Sequence, residues 1–101
     1  AAMLAKRYVE IKKFGIYRAK NEMYQRGIRG ETAENALEPY YDMIEENIAL
    51  LLEKKYSRYL TDETDRKSVE KVKNALVRYG YGYDDINRGI KNYFSDDKSF
   101  Y

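Results

Sequence analysis

The sequence predicts an all-α protein of two tandem three-helix repeats, six helices in all, each repeat resembling a helix-turn-helix unit. Apolar residues recur at helical spacing through most of the chain, and no segment shows sustained alternation of apolar and polar residues. One pattern also occurs twice, with an offset of about 53 residues. Its two copies are Ala19, Asn21, Met23, Gly27, Ile28, Ala33, Ala36, Leu37, Tyr40, Tyr41 and Val72, Asn74, Leu76, Gly80, Tyr81, Ile86, Gly89, Ile90, Tyr93, Phe94.

The first repeat is predicted at residues 1–40, with three short helices. Their apolar faces are Leu4, Tyr8 and Ile11, then Ile16, Ala19 and Met23, and then Ala33, Leu37 and Tyr40. Phe14-Gly15 ends the first helix, and Gly27 is expected to close the second as a left-handed C-terminal cap. Pro39 marks either a break or the first turn of the next helix.

The second repeat is predicted at residues 41–94 and begins with the longest helix. One face of that helix consists of Tyr41, Ile44, Ile48, Leu51, Leu52, Lys55 and Tyr59. Residues 61–65 are expected to cap a fifth helix, which ends at Gly80 and has the inward face Val69, Val72, Leu76 and Tyr79. Asp84 or Asp85 is expected to cap the sixth helix, whose inward residues are Ile86, Ile90 and Tyr93. Residues 95–101 are predicted to be a polar tail.

Composition argues against an enzyme. The 101 residues include no Cys and no His, which excludes disulfides, cysteine nucleophiles, thiolate metal sites and the most common general base. The carboxylates of Asp84-Asp85 and of Asp96-Asp97 are neighbours on a helix, so they diverge instead of converging on a ligand. No phosphate-binding glycine motif or zinc motif occurs. We therefore predict no catalytic residue, no metal, no cofactor and no small-molecule substrate.

The sequence also lacks a membrane signal. Its longest apolar run, Ile48–Leu52, has five residues, far short of the roughly 18 that span a bilayer. No basic-then-apolar signal segment opens the chain. We predict a cytoplasmic protein with no membrane contact.

Charge and tyrosine content suggest a binding surface. The net charge is +2, but residues 1–38 and 66–101 each carry eight cations against five acids, whereas residues 39–65 carry three against seven. Such asymmetry indicates a nucleic-acid or acidic-partner surface, or simply a solvated surface of mixed charge. Most of the twelve tyrosines are expected to seal a thin core. Tyr17, Tyr24 and Tyr83 could either stack bases or wall that core.

The strongest candidate site is a polar stripe opposite the apolar face of the fifth helix. It consists of Lys67, Lys71, Asn74 and Arg78 at i, i+4, i+7 and i+11. The repeat offset places Phe14, Arg18, Asn21 and Gln25 at the same positions, and nearby cations include Lys6, Lys12, Lys13, Lys20, Arg26 and Arg29. The stripe is expected to face phosphates or an acidic protein groove. A solvated outer face is the alternative.

Three segments of the chain resemble motifs of the RecX regulatory proteins. Residues 22–28, Glu-Met-Tyr-Gln-Arg-Gly-Ile, resemble the segment E-L-x-x-K-G-I of that family. Residues 76–86, continuing to Ile90, resemble L-x-R-R-G-F-x-Y-x-x-I, and residues 13–18 resemble the preceding turn x-x-G-x-x-R/K. The resemblance covers most of residues 6–41 and 65–94. Met23 stands where the family has Leu, and Tyr79 where it commonly has a base.

The resemblance implies a function and an incomplete chain. RecX proteins typically have three such repeats, so this chain is expected to be a C-terminal fragment that holds two of them. The family binds the RecA–DNA filament along its groove and damps strand exchange and nucleotide hydrolysis, without being an enzyme. The implied surface comprises Lys67, Lys71, Arg78, Arg18 and neighbouring cations, with RecA as partner and DNA as a further contact. Two alternatives remain: a sequence-independent nucleic-acid-binding domain, or a protein–protein interaction module that uses the acidic middle.

Overall fold

The computed structural model describes residues 1–96, and these fold into helices joined by short turns. The elements are α1 (Ala2–Ala5) continuing into a π-helical segment (Lys6–Ile11), α2 (Ile16–Gln25), α3 (Gly30–Leu37), a 3₁₀ segment (Glu38–Met43), α4 (Ile44–Lys54), a 3₁₀ turn (Ser57–Tyr59), α5 (Arg66–Tyr79) and α6 (Tyr83–Asp96). No β-strand occurs in these 96 residues, and the all-α prediction is confirmed. Because α6 continues to Asp96, only residues 97–101 of the predicted tail lie outside the described residues.

The first helix buries most of the face that its sequence predicts, with Tyr8 buried and Leu4 packed against the core, but not Ile11. Ala5, Tyr8 and Val9 are buried, whereas Ile11, predicted to point inward, is 68% exposed. The cause is the π-helical geometry of residues 6–11, in which the Lys12 N–H donates to the carbonyl of Arg7 over 2.9 Å. Hydrogen bonds from i+5 to i widen each turn, so a residue spaced for an α-helix rotates off the buried face.

The fourth helix is shorter than predicted, and three residues assigned to its inward face, Tyr41, Lys55 and Tyr59, lie outside it. Pro39 falls in the first turn of a 3₁₀ segment, and α4 begins only at Ile44. Tyr41 is therefore 45% exposed. Lys55 is the exposed residue that follows α4. A proline has no N–H to donate, so it suits the start of a helical segment.

The buried side chains form two clusters, one in each half of the chain. The first contains Ala5, Tyr8, Val9, Phe14, Ala19, Met23, Ala33 and Leu37. The second contains Ile48, Leu51, Leu52, Leu60, Val72, Leu76, Tyr81, Ile86 and Ile90. Tyr79 packs against both clusters. The boundary between two domains at residues 40 and 41 stays a prediction, but each half has its own core.

Gly27 and Gly80 end equivalent helices with the same hydrogen bonds. Both have a positive φ, 89° at Gly27 and 103° at Gly80, so the prediction of a left-handed cap at Gly27 is confirmed. The Gly27 N–H donates to Tyr24 and the Ile28 N–H to Met23; 53 residues later, Gly80 donates to Val77 and Tyr81 to Leu76. This pair of bonds is a Schellman motif. The offset read from the sequence is therefore also the offset of the backbone geometry.

The two halves meet where the end of α5 touches the start of α2. The Gly15 N–H donates to the Tyr79 carbonyl over 2.8 Å, and the Tyr17 N–H donates to the Gly80 carbonyl over 3.1 Å. A Cβ added at Gly15 would overlap the Gly80 carbonyl, and one added at Gly80 would overlap Arg18. Unpaired carbonyls at one helix end thus satisfy unpaired N–H groups at another, with helix dipoles aligned favourably.

Two buried polar side chains add to this contact. The Tyr81 hydroxyl donates to the carbonyl of Lys13. The backbone of Lys13 has a positive φ of 61°. Asn47 is fully buried, and its Nδ2 donates to the Val9 carbonyl over 2.9 Å. Both bonds join residues of the second half to backbone of the first. They hold the segment before α2 in place against α4 and α5.

Of the N-caps predicted for the last two helices, the one of α5 is observed and the one of α6 is not. Asp65 caps α5, because its Oδ1 accepts from the Ser68 N–H over 3.4 Å and its Oδ2 accepts from the Ser68 hydroxyl over 3.0 Å. The cap predicted at Asp84 or Asp85 is wrong. Helix α6 already begins at Tyr83, so both aspartates lie within its first turn, where Asp85 pairs with Arg88 over 3.2 Å. Acidic residues in that turn still suit the helix dipole.

Candidate partner-binding groove

The polar stripe of α5 faces solvent along its whole length. Its four residues, Lys67, Lys71, Asn74 and Arg78, are exposed, while Val72 and Leu76 on the opposite face are buried. The equivalent stripe of α2 is shorter than predicted. Phe14 precedes that helix and is buried in the first core cluster, whereas Arg18, Asn21 and Gln25 are exposed. Phe14 was therefore wrongly placed on the outward face, because the turn at Gly15 reorients the chain before α2 begins.

Cations from three parts of the chain meet in a continuous depression, which we name the basic groove. Its cations are Lys12, Arg18, Lys55, Lys71 and Arg78, and its aromatic residues are Phe14, Tyr56, Tyr59 and Tyr79. It consists of two adjoining hollows of about 520 and 260 Å³, which share Tyr56, Ala75 and Arg78. No carboxylate lines either hollow within residues 1–96. Mixed charge is usual on a protein surface, so five cations with no lining carboxylate make this surface distinct, although Arg18 also pairs with Glu22 outside the groove.

Four of the groove's five cations lie over aromatic rings. The Arg18 guanidinium is 4.1 Å from the Phe14 ring centroid, with Lys12 on the same ring at 5.8 Å. Lys55 lies 5.2 Å from the ring of Tyr79, and Lys71 lies 5.8 Å from that of Tyr59. A cation over a ring face is stabilised by the ring's quadrupole and keeps its N–H donors available.

Hydrogen bonds and charge fix two of these side chains further. The Arg18 Nη1 donates to the Arg78 carbonyl over 3.3 Å, and its Nε is 3.8 Å from Glu22 Oε2. The Lys55 ammonium donates to the Tyr79 hydroxyl over 2.9 Å. This bond, with the nearby Tyr79 and Tyr56 hydroxyls, raises the pKa of Lys55 above 10.5. Burial raises the pKa of Tyr56 above 10.0. Lys55 therefore keeps its positive charge at neutral and moderately alkaline pH.

A second surface, the tyrosine patch of Tyr17 and Tyr24, adjoins the basic groove. Tyr17 is 68% exposed and Tyr24 36% exposed, and both line a hollow of about 510 Å³ together with Val77. Arg18 and Arg78 line this hollow as well as the groove. These exposures exclude a role for either tyrosine in walling the core. Tyr83 is also exposed, at 63%, but it lines neither the groove nor this hollow.

The remaining predicted site residues have different surroundings. Lys20 and Asn21 line the hollow of the tyrosine patch, where Lys20 is 3.6 Å from Glu34. Lys67 and Asn74 are exposed but line neither surface. Lys13 is half-buried and holds its place through its backbone, and Arg26 is exposed at the end of α2.

Sequence reasoning missed the contribution of residues 54–59 to the groove. Lys55 was assigned to the inward face, and the net charge of residues 39–65 concealed the cations at that segment's end. The signal was present in the order Lys-Lys-Tyr-Ser-Arg-Tyr, which alternates cations with rings. In the structure Arg58 and Lys71 approach Tyr59 within 5.3 and 5.8 Å of its centroid.

No helix within residues 1–96 is long and apolar enough to cross a membrane. No group of three or more carboxylate, imidazole or thiol side chains in that part of the chain could hold a metal ion.

Residues 43–90 match the family model described as RecX, third three-helix domain. The matched segment holds three helices in the structure, α4, α5 and most of α6, together with Lys55, Lys71 and Arg78 of the basic groove. No curated protein and no solved structure matches the chain.

Proposed function

Because the chain belongs to the RecX family through its residues 43–90, we propose that it regulates RecA without being an enzyme. It would bind the RecA–DNA filament and inhibit strand exchange and ATP hydrolysis. The sequence motifs imply this function, and the basic groove is the surface that would perform it.

The basic groove is the observation that carries this proposal. It lies where the two halves of the chain meet, so its cations are held at fixed spacing by both halves. Both possible contacts in the filament, DNA phosphates and acidic protein side chains, are negatively charged. Stacked helical units commonly bind partners across such a shared surface.

The test is ATP hydrolysis by RecA on single-stranded DNA. The full-length protein containing these residues should slow hydrolysis, and Lys55→Glu, Lys71→Glu and Arg78→Glu together should weaken that inhibition at least about tenfold, because each replaces an attraction with a repulsion. Lys91→Glu is the matched control, since Lys91 is an exposed lysine of α6 outside the groove.

Two results would contradict the proposal. One is an unchanged hydrolysis rate at a large molar excess of wild-type protein. The other is equal inhibition by the triple variant and by Lys91→Glu, with both folded by circular dichroism. The second result would assign the inhibition to another surface.

A further inference from the structure

We infer that the basic groove and the tyrosine patch form one site for single-stranded DNA, in which the cations contact phosphates and Tyr17 and Tyr24 stack on bases. The inference rests on the proposed function and deepens it. It names the nucleic acid of the filament, and not an acidic protein surface, as what this site touches.

The continuity of the two surfaces supports a polymer as ligand. Arg78 lines all three hollows, and Arg18 lines two of them. A chain that follows the cations from Lys71 past Arg78 therefore reaches the tyrosine patch without leaving the surface. Single-strand-binding proteins combine these same two parts, a cationic groove along the backbone and aromatic rings for the bases.

The lack of carboxylates favours phosphates in the groove. Four of the groove's five cations, all but Arg78, lie over rings, and the ion pairs of the described residues leave Lys12, Lys55, Lys71 and Arg78 without a carboxylate partner. Their donors thus stay free for a ligand with a negative charge at every unit, as a nucleic-acid strand has. The rings also limit the side-chain entropy that binding would cost.

Tyr17 is both exposed and held in place, which suits a stacking role. Its ring lies against the backbone at Gly82, where an added Cβ would be 3.4 Å from the ring's Cε2 atom. A ring that is 68% exposed has no counterpart in the protein for its outer face. Ordered, solvent-facing aromatic rings bind unpaired bases well, since every base offers a planar face.

The tyrosine patch distinguishes a single strand from a duplex. The bases of a duplex are stacked on one another and offer only their edges in the grooves. Tyr17 and Tyr24 could stack only on bases that are already unstacked or unpaired. We therefore expect a duplex to bind through the groove alone, and a single strand to bind through the groove and the tyrosine patch together.

The experiment measures fluorescence anisotropy of labelled oligo-dT of about fifteen nucleotides, within the site sizes of single-strand-binding folds. It uses the protein alone, without RecA. We expect binding that weakens with salt, and Tyr17→Ala with Tyr24→Ala to weaken it by roughly thirtyfold or more, as base–aromatic stacking is worth about 1–3 kcal/mol for each base. Tyr17→Phe should retain affinity, because it keeps the ring.

A control variant identifies the surface that binds, and other ligands identify the nucleic acid that it prefers. Tyr41→Ala removes an exposed tyrosine outside both surfaces and should leave oligo-dT binding unchanged. A duplex of equal length should bind more weakly and be insensitive to the tyrosine substitutions. Oligo-rU should bind no more tightly than oligo-dT, and polyglutamate should compete poorly.

Several results would overturn the inference. These are equal binding of duplex and single strand, unchanged binding in the tyrosine double variant, a preference for oligo-rU, or efficient competition by polyglutamate. Absent oligo-dT binding combined with RecA inhibition that depends on the groove would refute the DNA assignment and leave the proposed function intact. Tyrosine-dependent oligo-dT binding without an effect on RecA would refute the function and retain the site.

Discussion

Gly27 and Gly80 have equivalent positions but different surroundings. Both adopt a left-handed backbone, yet nothing lies within 4 Å of a Cβ built at Gly27, whereas one built at Gly80 would overlap Arg18. Gly27→Ala should therefore lower the free energy of unfolding by about 1–2 kcal/mol, the cost of the left-handed conformation. Gly80→Ala should cost several kcal/mol, because the helix end must also separate from α2.

Urea denaturation of the two glycine variants checks this difference. Equal destabilisation would show that the approach of α2 to Gly80 contributes nothing to stability. Gly30→Ala is a further control, since Gly30 also has a positive φ, 57°, and open space around it.

The Tyr81 hydroxyl gives stability a dependence on alkaline pH. Burial raises the pKa of Tyr81 well above its ordinary 10.0, so the folded protein keeps this proton where the unfolded chain loses it. The contribution is complete below about pH 9, and stability should fall as the pH rises beyond 10. Tyr81→Phe should cost about 1–2 kcal/mol at neutral pH, since the Lys13 carbonyl loses its donor.

Thermal or urea unfolding between pH 7 and 11 measures both effects. Tyr81→Phe should show a smaller loss of stability above pH 10 than the wild type. An identical alkaline slope in the two proteins would mean that Tyr81 ionises equally in the folded and unfolded states.

At the scale of elements, the start of α5 depends on one side chain. Asp65 accepts the N–H and the hydroxyl of Ser68, and it satisfies one of the four unpaired N–H groups of the helix start. Asp65→Ala should lower the free energy of unfolding by about 1 kcal/mol, and Asp65→Asn by less, because asparagine caps nearly as well. Equal losses from both substitutions in urea denaturation would contradict a capping role.

The elements also show what a sequence can reveal. Helix α5 was predictable because apolar spacing, an Asp cap and a terminal glycine agree there, and α6 was predictable from its apolar spacing. The π-helical segment was not, since Tyr8 and Ile11 have ordinary α-helical spacing, and only tertiary packing decides that Val9 is buried instead. The first residue of α4 could not be predicted, because Pro39 suits both a break and a helix start.

For the whole molecule, two small cores depend on one contact. Backbone bonds from Gly15 and Tyr17 to the end of α5, with Tyr79 packed against both clusters, should make the halves unfold together. Gly15→Ala would push a Cβ into the Gly80 carbonyl. We expect this variant to unfold in two steps, with residues of the first cluster exposed earlier.

Hydrogen exchange resolved by peptide measures this coupling. In the wild type, amides of α2 and α5 should exchange with similar protection, whereas Gly15→Ala should lower protection in α2 by a larger factor than in α5. A single cooperative transition in the variant would show that the hydrophobic contacts of Tyr79 suffice to join the halves.

Only part of the basic groove could be predicted from the sequence, because the groove depends on how the two halves of the molecule meet. Lys71 and Arg78 follow from helical spacing within α5, and Arg18 and Lys12 were predicted from the repeat offset and from nearby charge. Lys55 was missed, and these cations share one groove only because α2 and α5 meet at Gly15 and Gly80. No local pattern in the sequence encodes a distance between those elements, so the groove's full set of cations required the tertiary structure.

The glycine contact also gives the molecule a direction. The turn at Gly80, in the second half of the chain, accepts hydrogen bonds from the segment that leads into α2 of the first half. Gly27 repeats that turn bond for bond, but the space beside it is open. A unit added by the same geometry would attach at Gly27 and could not attach at the occupied turn. An array built by this geometry is therefore polar, and its two ends are chemically different surfaces.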